Sequence, residues 1–158
     1  MRKKQVIKKP KAIKPYVLHA NSKIPLIEAD FHLVCTSDME KLVNSKDFRE
    51  LFPAIERPWV DHGYYGVTFY DYDRGRVIVM LSPNGMNHNV IHHEIHHATM
   101  KVGNHIGCSH DHRTSEEFYA QLAGYIGDFI YVQIEKWGLS ISPYSSIIDP
   151  PTKIMPLH

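Results

Sequence analysis

The sequence predicts a single α+β domain, and three observations carry that prediction. The chain has 158 residues, 43% apolar and 22% charged, which is enough for one hydrophobic core and too little for two. Two runs rich in Val, Ile, Phe and Tyr, residues 66–72 and 76–81, flank Asp73-Arg74-Gly75 and read as a β-hairpin. Two longer stretches downstream carry apolar residues at helical spacing between a capping residue and a glycine.

In chain order, residues 1–15 form a basic arm with prolines at 10 and 15, expected to be disordered. The domain proper is expected over 16–142. Its first strand falls around Ile24–Cys35, where Ile27, Ala29, Phe31, Leu33 and Cys35 alternate as on a half-buried strand. Ser37 stands three residues before Glu40, the spacing of a capping box, so a short helix begins at Ser37 and ends before Pro53. In the hairpin, Gly75 can take the positive φ that the turn needs. Asn84 or Asn87 caps a helix running to about Val102, with Gly103-Asn104 as its stop. A second long helix runs from Thr114 or Ser115 to about Trp137 and closes at Gly138. The tail, 143–158, holds prolines at 143, 150, 151 and 156 and is expected to lie extended.

Composition bounds the compartment and the partners. No apolar run approaches the roughly 18 residues of a membrane helix, so no membrane partner is expected. The basic arm lacks the apolar stretch of a secretory signal, and two cysteines, Cys35 and Cys108, do not make a disulfide framework. A cytoplasmic protein is the expectation. Residues 1–14 hold seven of the 18 bases and no acid, leaving the body acidic. Such an arm can attract nucleic acid or an acidic partner, or simply be a solvated tail; it interleaves no aromatics that would stack on bases.

Eight of the twelve histidines lie between His88 and His112. Residues 92–97 read His-His-Glu-Ile-His-His, and both His92/His96 and His93/His97 have the i,i+4 spacing of one helical face. The HExxH pattern needs a glutamate directly after the first histidine, which selects His93, Glu94 and His97. Two imidazoles one turn apart can both reach a Zn²⁺, and Glu94 can serve as general base toward water at that ion. Ile91, Ile95, Ala98 and Val102 form the core stripe of this helix, with the His93/His97 pair on one flank and His92/His96 on the other. The second pair is expected to be a polar face. One Zn²⁺ per chain is predicted.

The metzincin extension would place glycine and histidine three and six residues after His97, where Met100 and Gly103 stand, so that class is excluded. The next helix opens Thr114-Ser115-Glu116-Glu117, with an apolar stripe expected at Phe118, Leu122, Tyr125, Phe129 and Val132, and a strip of Glu117, Ala120 and Gly124 beside it. HHEIHH followed by SEEFYAQLAGYIGDF resembles the small gluzincin-type metallopeptidases common in phages and prophages, over roughly residues 66–130. The resemblance implies a zincin-like fold, peptide-bond hydrolysis of a peptide or protein substrate, a host-cytoplasmic setting if phage-encoded, and Glu117 as the third metal ligand. Gln121 stands where that family more usually has an aromatic. Glu116 is the fallback ligand, and Thr114-x-x-Glu117 also fits a capping box. Cys108, His110 and His112 alternate in the intervening loop, and His112 offers the alternative of a histidine third ligand, as in SprT-like proteases. A further alternative is a non-catalytic, zinc-stabilised module that binds nucleic acid or a virion partner through the arm. Val77–Leu81 is a candidate edge for an extended substrate, and Tyr64, Tyr65, Tyr119 and Tyr125 are candidate hydrogen-bond donors.

Overall fold

In a computed structural model, residues 17–25, 27, 29–55, 65–108 and 113–143 are described, the side chains of 113 and 114 excepted. The arm, Tyr64, His110, His112 and the tail after residue 143 lie outside the described residues. The elements run β1 (Val17–Ile24), β2 (Ala29–Thr36), α1 (Met39–Val43), α2 (Lys46–Leu51), β3 (Gly66–Asp71), β4 (Arg76–Leu81), α3 (His88–His105) and α4 (Arg113–Lys136). The class is α+β, as expected, with one small mixed sheet.

The sheet order is β1-β2-β4-β3, antiparallel except for the parallel β2–β4 pair. Ala29, Phe31, Leu33 and Cys35 alternate along β2 and are buried, as expected for that face. β1 was not foreseen: from Val17 to Lys23 its residues alternate between exposed and half-buried and only Ile24 at its end is buried, so it lacks the apolar period that marks a strand. The edge expected at Val77–Leu81 is corrected. β4 lies inside the sheet, every residue from Val77 to Leu81 is buried, and the edge on that side is β3. A continuous apolar run is what a strand covered on both faces requires.

The two faces carry different helices. Phe31, Leu33, Val77, Val79 and Leu81 pack against α3 and α4, while Val34, Ile78 and Met80 pack against Met39, Val43, Phe48 and Phe52 of the α1–α2 side. α1 is capped by Asp38, whose Oδ1 accepts from the Lys41 amide at 2.9 Å, rather than by Ser37. Ser45 caps α2 through the Phe48 amide. The cap moves by one residue because either side chain can serve a first turn, and the backbone places Asp38 there.

α3 starts where expected, with Asn87 Oδ1 accepting from the Val90 amide at 3.0 Å. It does not stop at Gly103-Asn104 but continues to His105. Gly103 serves a different purpose: a Cβ there would lie 2.2 Å from the Tyr119 ring of α4, so the glycine is the notch through which the two helices meet. The buried stripe of α4 is Leu122, Ile126, Ile130 and Ile134, with Phe118, Tyr125 and Phe129 half-buried and Val132 exposed. The expected stripe is therefore rotated. Gly124 has open space where a Cβ would be, so at that position the small-residue strip makes no close approach to α3.

One polar pair sits in the sheet. His19 Nε2 and His32 Nδ1 lie 3.0 Å apart across β1 and β2, the rings are stacked, and Phe52 meets His32 edge-on. His32 Nε2 is buried without a partner. Burial, then His19 and Arg76, hold the His32 imidazole down at about 4, against a smaller upward pull from Asp30. Its folded value lies below the ordinary 6.5, so the unfolded chain binds the proton first. The contribution is intact above pH 6.5 and is lost as pH falls toward 4. Between pH 7.5 and 4.5, wild type is expected to lose about 1–2 kcal/mol more unfolding free energy than His32→Leu, allowing for solvent screening. Urea titrations at the two pH values measure the difference, and equal losses would refute the assignment.

Candidate metal centre and active site

α3 sets the geometry of the site. Its core stripe is as expected: Ile91, Ala98 and Val102 are fully buried and Ile95 nearly so. With that face fixed, His93 and His97 emerge on the exposed side, and Glu94 turns inward toward the sheet. The two Nε2 atoms converge to 3.0 Å, with the ring planes at 86°. Two nitrogens 2.0–2.1 Å from one tetrahedral ion stand about 3.3 Å apart, so the pair has the separation of two zinc donors. A single imidazole–imidazole hydrogen bond has this separation as well. Burial, followed by His93, His96 and Lys101, lowers the His97 pKa and favours the neutral ring that a metal needs.

Glu94 is 3% exposed. Thr68 Oγ1, on edge strand β3, donates to Glu94 Oε2 at 2.6 Å. Burial raises the carboxyl above its ordinary value, and the Thr68 hydrogen bond and His93 oppose the rise. Gly66, on the same face of β3, leaves room for the side chain: a Cβ there would lie 2.7 Å from Glu94 Cγ and 2.9 Å from Oε1. Neither Thr68 nor Gly66 was read from the sequence as part of the site. The signal was present in Gly-Val-Thr-Phe-Tyr-Asp, where alternation puts glycine, threonine and Tyr70 on one face and a hydroxyl among residues directed at the core.

The other half of the expected constellation is not assembled. Glu117 is exposed, and its Oε1 accepts from Gln121 Nε2 at 3.0 Å within α4. Glu116 is the glutamate that faces α3. It lines an open groove of about 480 Å³ with His92, His96 and Met100 of α3 and Tyr119 and Ala120 of α4. Among the described residues, no group of three or more His, Cys, Asp or Glu side chains is arranged to hold a metal. The pair His93/His97 is brought together; Glu117 is not brought to it. The donor set thus fits zinc at two positions, both on α3.

The neighbouring histidines have their own contacts. The Tyr131 hydroxyl lies 3.0 Å from His88 Nδ1 and 3.4 Å from His92 Nε2, so that row packs along α4, on the other flank from the HExxH pair as expected. Tyr119 donates to the Cys108 carbonyl at 3.0 Å and Tyr125 to the Lys23 carbonyl at 2.7 Å, tying α4 to the loop after α3 and to β1. No helix of the described residues is long and apolar enough to cross a membrane. Compared with family models, curated proteins and solved structures, the chain matches none.

Proposed function

We propose that the chain is a zinc-dependent metallopeptidase with a single zinc held by His93 and His97 and with Glu94 as general base. The observation that carries this reading is the convergence of the two Nε2 atoms to 3.0 Å, one residue away from a buried carboxylate pinned at a single oxygen. A purely structural zinc site is closed by four protein ligands and has no use for an adjacent buried base. Glu117 completes the site in this proposal on the family resemblance; to do so it must leave Gln121 and reach across from α4.

Zinc, when bound, polarises the scissile carbonyl and acidifies water. The chain's own contribution lies in three groups. His93 and His97 present neutral nitrogens from a rigid helix, and Glu94 accepts a proton from the attacking water and returns it to the leaving amine.

The test is zinc per chain by elemental analysis alongside hydrolysis of a quenched-fluorescence peptide library. Wild type is expected to hold about one zinc, and His93→Ala and His97→Ala are each expected to lose it together with chelator-sensitive hydrolysis. Glu117→Ala, Glu116→Ala and His112→Ala then identify the third ligand: the reading predicts that Glu117→Ala releases zinc and the other two retain it. A metal-replete wild type that binds no zinc refutes the proposal.

A further inference from the structure

The edge strand β3 contributes a side chain directly to the proposed base. Thr68 has one hydroxyl proton and two acceptors on Glu94: carboxylate Oε2 at 2.6 Å and the main-chain carbonyl at 3.3 Å. The shorter, charge-assisted contact takes the proton. Glu94 Oε2 is thereby engaged, and Oε1 lies on the side of Gly66, where the missing Cβ leaves the space the carboxylate fills. A glutamate carries three rotatable bonds and settles into one orientation only where neighbours fix it. Here one strand fixes it twice, by a donor at 68 and a notch at 66. The half-buried neighbour Val90, 2.9 Å from the same notional Cβ, closes the notch from the α3 side.

From this geometry we infer that Thr68 is a positioning residue: by holding Oε2 it fixes the orientation of the Glu94 carboxylate and so sets where the base meets the substrate water. The inference rests on the metallopeptidase reading and goes beyond it, since the HExxH pattern contains no residue of β3. It also gives the sheet edge a role in catalysis that is independent of any strand added by a substrate.

Two measurements test it. The first is steady-state kinetics on zinc-loaded protein. Thr68→Val is expected to lower kcat about 10–100-fold with KM within about twofold and zinc content unchanged, because misplacing a base without removing it slows the chemical step. Thr68→Ser, which keeps the donor, is expected to recover kcat to within about threefold of wild type. The second is a thermal double-mutant cycle on the metal-free chain, which needs no activity. Thr68→Val is expected to lower Tm by about 3–6 °C in the wild-type background and by less than about 1 °C in the Glu94→Ala background, where no carboxylate is left unpaired. An active wild type with an unimpaired Thr68→Val, a Thr68→Ser as slow as Thr68→Val, or an additive thermal cycle overturns the positioning role and leaves the peptidase reading standing. A zinc-loaded wild type that hydrolyses nothing overturns both.

Discussion

Glu94→Gln is expected to retain one zinc per chain and to hydrolyse peptides at least about 100-fold more slowly than wild type, the usual loss when a positioned general base is removed. Glutamine has the size of glutamate, and its amide oxygen can still accept from the Thr68 hydroxyl, so the side chain keeps its place beneath β3. It cannot take a proton. Burial acts on the two residues in opposite ways. The carboxylate pays for its desolvation, which is why burial pushes the Glu94 carboxyl up, whereas a hydrogen-bonded amide pays much less. The variant should therefore melt at the same temperature as wild type or higher while losing turnover. That combination separates a residue kept for chemistry from one kept for packing. Zinc analysis, kcat on one cleavable peptide and a melting curve give the three readings; turnover equal to wild type would falsify the assignment of Glu94 as base.

What the sequence disclosed followed the range of the interactions involved. The Asn87 cap, the core stripe of α3 and the pairing of His93 with His97 depend on residues within one or two turns, and each is found where its spacing put it. The hairpin is equally local, and Gly75 adopts the expected positive φ of 59°. Features set by distant neighbours were not readable. β1 is an edge strand, half-solvated and held by its backbone ladder to β2, so its side chains carry little apolar signal. The interior place of β4 depends on its parallel pairing with β2, a contact across some 45 residues of chain. Gly103 looked like a helix stop because the sequence does not show that Tyr119 fills the space beside it. Thr68 escaped for the same reason: its partner lies 26 residues away. The rotation of α4 escaped because that helix is apolar on more than one side.

Ile130→Ala is expected to cost about 2–5 kcal/mol of unfolding free energy, and Val132→Ala to stay within about 0.5 kcal/mol of wild type. Ile130 is fully buried against the sheet, whereas Val132 is 45% exposed. Sequence periodicity alone favours the opposite order, because Val132 continues the series Phe118, Leu122, Tyr125 and Phe129. The two residues stand about 200° apart on the helix, so urea unfolding of the two variants reads the rotational setting of α4. That setting also bears on the third ligand. With Leu122, Ile126, Ile130 and Ile134 inward, Glu116 flanks the buried stripe and lines the groove with α3, while Glu117 points about 160° away from the stripe's centre. With the other stripe inward, α4 turns by roughly 100° and Glu117 moves to a flank. A larger loss at Ile130 than at Val132 means that Glu117 can ligate only if the first turn of α4 repacks when metal binds. The reverse order would turn the whole helix and give Glu117 the closer approach without that cost.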